Sequence, residues 1–200
     1  MRRSLILAAT AFLFIAMPAA APAGVVLSVY QSGLDVEALG FGTVNTAGLT
    51  LLPGGVSNNN VGVQPSTGFL IIGGTSGLTF SGFSGPSGFG PSGTFTPATS
   101  FSGDTFGIFV NNGRMKLPAG YVSGSPLQST ATWLNTTLAS LGLTDGTYVY
   151  TWGTGSNADS LTIVVGGTAA VPEPSPIVLS AVGVAVPLGR RLLKRRGERI

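Results

Sequence analysis

Asp35 and Glu37 are the one close pair of carboxylates between residues 24 and 170. Two positions apart on a strand, they point to the same face. Same-face neighbours along one strand stand about 7 Å apart, within the roughly 6.5–9.5 Å over which an inverting glycosidase sets its acid and base around a water. The competing and favoured reading is a solvated strand face with Val36 and Ala38 turned inward. Tyr148, Tyr150 and Trp152 alternate along a second run and so share a face. Exposed, they would form a candidate platform for sugar rings, whose apolar faces stack on aromatics. Buried, they would form one wall of the core, and this is the favoured reading because few other large residues exist to fill it.

Other chemistry is weaker. Asp145, Asn157 and Asp159 are oxygen ligands at turns, of the kind that can hold calcium, but no D-x-D-x-D spacing links them and Asp145-Gly146 is an ordinary turn signal. Four G-x-S-G strings, at Ser76, Ser84, Ser87 and Ser92, stop short of the G-x-S-x-G nucleophile elbow. The chain has no histidine and no cysteine, so no standard Ser-His-Asp triad, thiol nucleophile or structural zinc site can form. Gly88-Phe-Gly90-Pro-Ser-Gly93 matches a dinucleotide fingerprint in letters alone, because Pro91 interrupts it and no helix follows. The expectation is a non-enzyme, with no catalytic residue, no metal and no cofactor.

Charge narrows the partners. The whole chain is formally +3, yet residues 24–170 hold Arg114 and Lys116 against Asp35, Glu37, Asp104, Asp145 and Asp159, which is 2 − 5 = −3. A body so poor in cations has no electrostatic footprint for nucleic acid.

The elements that would position these residues read as strands. Short β-branched or aromatic runs separated by Gly, Ser, Pro and Asn predict strands over 25–30, 36–41, 49–52, 69–72, 78–80, 105–110, 130–133, 147–152 and 160–165. Many short strands with frequent turn signals favour a single all-β domain, a β-sandwich or flattened barrel with Gly/Ser-rich loops. One helical turn is expected over 135–141, with Asn135 as N-cap and Gly142 as terminator. Residues 81–93 form a low-complexity insert in which five of thirteen residues are glycine. No regular structure is expected there, although Phe83 and Phe89 could tack it onto the body.

Both flanks of that domain carry addressing features. Residues 1–23 have a positive start at Arg2-Arg3, an apolar stretch and an Ala21-Pro22-Ala23 cleavage site, which is the pattern of a signal peptide cut after Ala23. At the other end, 171–175 reads Val171-Pro172-Glu173-Pro174-Ser175. An apolar segment, 176–189, follows, and then a basic tail, 190–200, with Arg190, Arg191, Lys194, Arg195 and Arg196. The two prolines keep Glu173 in an extended peptide that no helix absorbs. The apolar segment predicts a short transmembrane helix, and the basic cluster marks its cytoplasmic side. Its fourteen residues rise about 21 Å as a helix against roughly 30 Å of hydrocarbon. Snorkelling arginines could extend the span to Leu193 and about 27 Å. Such an anchor suits a segment that is removed later.

In motif, apolar segment and basic cluster, the C-terminal stretch resembles the PEP-CTERM sorting signal of Gram-negative bacteria. The resemblance implies recognition and cleavage by an exosortase-type membrane peptidase, a transient stay in the inner membrane, and release to the cell surface or an extracellular polysaccharide matrix. Leu117–Leu127, Trp133–Leu141 and Leu143–Ile163 also resemble a module recurring in exported proteins with this tag, which implies architecture and location but no activity. The expected function is therefore a non-catalytic surface or matrix protein. The alternatives are a carbohydrate-binding module or, less favoured, a glycoside hydrolase using Asp35 and Glu37.

Overall fold

The computed structural model describes residues 24–58 and 60–167. The signal-peptide, sorting-motif, membrane-segment and basic-tail expectations fall outside them. The described chain is built of strands, short 3₁₀ turns and loops, as an all-β protein. β1 (Gly24–Ser32) and β2 (Asp35–Thr43) form an antiparallel hairpin, with Gly33 in the left-handed region at the turn. β3 (Thr50–Leu51), β4 (Ser57–Asn58), β5 (Gly62–Gln64), β6 (Phe69–Ile72) and β7 (Ser76–Ser81) follow. Then come β8 (Thr96–Pro97), β9 (Ser100–Gly103), β10 (Phe106–Phe109) and β11 (Arg114–Pro118), and finally β12 (Pro126–Trp133), β13 (Gly146–Trp152) and β14 (Asp159–Val165).

These strands make two sheets. The first has the order β13-β14-β1-β2-β12-β9. Its neighbours run antiparallel except β1 and β14, which pair in parallel from Gly24 opposite Ser160 to Val29 opposite Val165. The second has the order β3-β7-β11-β10-β6-β5-β8, with β4 also on β7. At its centre sit two like hairpins, β5–β6 and β10–β11. Each turns through a 3₁₀ segment, Pro65–Thr67 or Val110–Asn112, closed by a left-handed glycine, Gly68 or Gly113.

One hydrophobic core lies between the sheets. Strand alternation sends Val25, Leu27 and Val29 inward from β1, and Leu161, Ile163 and Val165 inward from β14. From the second sheet, Val63, Leu70, Ile108, Met115 and Phe80 form one inward row in direct register. Small residues meet large ones across the layers. A Cβ on Gly40 would lie 2.9 Å from Leu27 Cδ2 and 3.1 Å from Ile72 Cδ1, so this glycine is the gap that Ile72 and Phe106 fill. Both indoles lie in the core and tie loops to it: Trp133 Nε1 donates to Thr96 O at 3.1 Å, and Trp152 Nε1 to Asn45 O at 2.8 Å.

One expectation is revised. The turn expected over 135–141 is present, with Leu141 N donating to Thr137 O, and Gly142 ends it in the left-handed region. Its cap, however, is Thr137, whose Oγ1 accepts from Ser140 N while Ser140 Oγ accepts from Thr137 N. Asn135 instead takes a positive φ of 50°, which turns the chain out of β12.

The 81–93 insert is a strap held against the body. Ser84 and Thr151 exchange two backbone hydrogen bonds of 2.9 Å, and Phe89 is fully buried, edge-to-face with Tyr148. Its glycines allow backbone to lie on backbone: a Cβ on Gly90 would overlap Gly142 O. Phe89→Ala should therefore cost about 3–5 kcal/mol in denaturant-induced unfolding, as for a core aromatic. An unchanged midpoint would mean that the strap is detached in solution.

Candidate functional site

The aromatic row of β13 is a core wall. Tyr150 is 0 % exposed and Trp152 4 %, while Tyr148 is half-buried and donates its hydroxyl to Thr144 O at 2.9 Å. The register explains the direction, since Tyr148 and Tyr150 lie beside the inward-facing Ile163 and Leu161. Outward from β13 point Thr147, Val149 and Thr151 instead. The candidate sugar platform of Tyr148, Tyr150 and Trp152 is therefore not exposed, and the row lies in the core as the favoured reading had it. Tyr150 packs edge-to-face on Phe83, and its buried hydroxyl has no hydrogen-bond partner. Burial, with a smaller contribution from Tyr148, pushes its pKa up to about 12.

Asp35 and Glu37 do share the outer face of the first sheet. Each is engaged locally. Asp35 Oδ1 accepts from Asn135 N at 2.8 Å, fixing the turn after β12, and Glu37 Oε2 accepts from the Tyr30 hydroxyl at 2.8 Å. Asp159 is the buried carboxylate, 6 % exposed. It accepts from Asn45 N at 2.6 Å and from Ser160 N at 2.7 Å, clasping the loop that Trp152 also holds. Desolvation raises its pKa, and those two backbone donors pull the other way. Asp145 lies at the far end of β14, where a Cβ on Gly166 would touch its carboxylate. The candidate calcium ligands Asp145, Asn157 and Asp159 are thus not brought together, and among the described residues no group of three or more acidic residues is placed to hold a metal.

Two surface depressions stand out among the described residues. A shallow one of about 470 Å³ lies on the first sheet between Leu39, Phe41, Leu127 and Gln128. Asp104 at its rim is its one ionisable group, and that carboxylate is committed to Gln128 N at 2.9 Å. The second, about 230 Å³, lies on the outer face of the second sheet and gathers residues that the sequence left scattered. Phe109 stands directly between Phe69 on β6 and Arg114 on β11. Phe69 packs edge-to-face on both Phe109, centroids 5.3 Å apart, and Phe95, at 5.4 Å. In the next row, Lys116 is flanked by Thr79 and Gly107, and Ile71 lies beyond Gly107. Lys116 Nζ donates to Ser57 Oγ at 2.6 Å.

Sequence reasoning missed this face because its members come from five strands, β4, β6, β7, β10 and β11. The local signal was the Arg-Met-Lys-Leu alternation of β11, with Met115 and Leu117 buried and both cations outward. Comparison with known protein families, curated proteins and solved structures finds no match to this chain.

The Tyr150 hydroxyl supplies a test of the packing. Its pKa is higher folded than unfolded, so the folded state holds the proton more tightly. Its contribution is complete below pH 10 and is lost as pH rises from 10 to about 12. Tyr150→Phe removes an unpartnered polar atom, so stability near pH 8 should hold or rise, while the alkaline fall in urea midpoint becomes shallower. An equally steep fall in the variant would show that Tyr150 is not the buried phenol.

Proposed function

We propose that the protein is an exported, non-catalytic cell-surface or extracellular-matrix component. Its C-terminal segment serves as a sorting tag that an exosortase-type membrane peptidase removes. The observation carrying this reading is the sequence order itself: Val171-Pro172-Glu173-Pro174-Ser175, then the apolar 176–189, then Arg190, Arg191, Lys194, Arg195 and Arg196. Each part has a physical task. The Pro-Glu-Pro peptide stays extended for a protease cleft, the short apolar segment holds the chain in the inner membrane, and the arginines fix its cytoplasmic end.

The placement of the strands supports this division. Cleavage after Ala23 would leave every described strand, from β1 onward, intact. β14 ends at Val165 and the last ladder bond is Gly166 N to Val29 O, 2.9 Å. Cleavage at the Pro-Glu-Pro motif would likewise fall after the last described strand. A non-catalytic role fits the commitment of Asp35 to a turn amide and of Glu37 to Tyr30.

Co-expression with and without an exosortase-type peptidase, read by intact mass, tests the reading. The expected product in its presence starts at Gly24 and lacks residues 176–200, and Glu173→Ala or Pro174→Ala reduces processing. Retention of 176–200 in both strains would overturn it.

A further inference from the structure

Charge is divided between the two layers. Asp35, Glu37 and Asp159 belong to strands of the first sheet, Asp145 to the loop entering β13, and Asp104 binds the backbone of β12. Arg114 and Lys116, both cations of the described body, stand side by side on the outer face of the second sheet. The register sets Phe109 beside Arg114, and Thr79 and Gly107 beside Lys116, so no carboxylate neighbours either cation along the ladder. Two like charges next to the half-buried Phe69–Phe109 pair leave a site that an anion with an apolar face would complete.

We propose that this groove binds an acidic sugar residue of a polysaccharide, with its carboxylate between Arg114 and Lys116 and its ring on Phe69 and Phe109. The groove's 230 Å³ is below the roughly 300–1,000 Å³ of drug-sized ligand sites, so it accommodates one sugar ring rather than a long segment. Ser57, already bonded to Lys116, and Asn58 line the same groove and offer hydrogen-bonding groups to ring hydroxyls. Partial burial and the neighbouring guanidinium lower the Lys116 pKa, and a bound carboxylate would relieve the repulsion between the two cations. Nucleic acid fits less well, because two cations on a body of net −3 neutralise few phosphates. The source of the ligand, an extracellular acidic polysaccharide, rests on the export reading, whereas the chemistry of the groove does not.

The test is titration of the purified full chain with oligogalacturonate, alongside neutral maltooligosaccharide of equal length and dextran sulfate. Oligogalacturonate should bind and weaken as salt rises, while the neutral sugar should not register. Arg114→Gln with Lys116→Gln should lower affinity about tenfold or more, and Phe109→Ala should also weaken it. Lys116→Arg, which keeps the charge, should retain binding, and thermal unfolding of each variant checks that the fold is unchanged. Equal binding of the neutral sugar, binding of dextran sulfate alone, or full affinity in the double glutamine variant would each overturn the proposal. Loss of tag processing would leave the uronate result standing, and absence of uronate binding would leave the sorting reading standing.

Discussion

The parallel ladder between β1 and β14 joins the first and last described strands in the interior of the first sheet. Leu27, Val29, Ile163 and Val165 all turn inward from it, so this pairing builds much of that sheet's share of the core. It closes a loop of nearly the whole body, and closing long loops is slow relative to forming local hairpins. The antiparallel pairs β1–β2, β5–β6 and β10–β11 are local and suited to forming early. β14 can dock only once β1 is presented. Because the two strands run the same way, the chain enters at one end of the sheet and leaves at the other. Trimming into β1 or β14 would break this ladder.

That constraint also divides the body into two faces of different character. The first sheet's outer face carries Thr147, Val164, Ser28, Leu39, Thr130 and Ser102 in one continuous uncharged row, with Ser28 buried within it. Asp35 and Glu37 lie on the same face but serve local structure. The second sheet's outer face concentrates the Phe95–Phe69–Phe109 cluster together with both cations. Residues 24–170, of net charge −3, thus present their two cations on one small aromatic patch.

Much of the architecture was legible in the sequence, and the gaps have physical causes. The runs at 25–30, 36–41, 69–72, 147–152 and 160–165 became strands because β-branched and aromatic residues alternate or cluster there between glycine turns. β9, Ser100–Gly103, escaped because an edge strand of Ser and Gly carries no hydrophobic period. β5 was too short at three residues, and β11 was hidden by its charged outward positions. The favoured core reading of Tyr150 and Trp152 holds, since too few other large side chains exist to fill that part of the interior. The strap at 81–93 was only half legible: Phe89 could be named, but its burial depends on glycines fitting the backbone at 142 and 149. The Phe69–Phe109–Arg114 row was not legible at all, because register between distant strands sets it.

We propose that residues 24–167, closed by the β1–β14 ladder, fold as a unit without the residues that follow. Cooperative unfolding of a chain of residues 24–167, compared with one that continues to Ile200, tests it most directly. The predicted result is a single transition with the same midpoint for both. A lower midpoint or a broadened, non-cooperative transition in the shorter chain would contradict it.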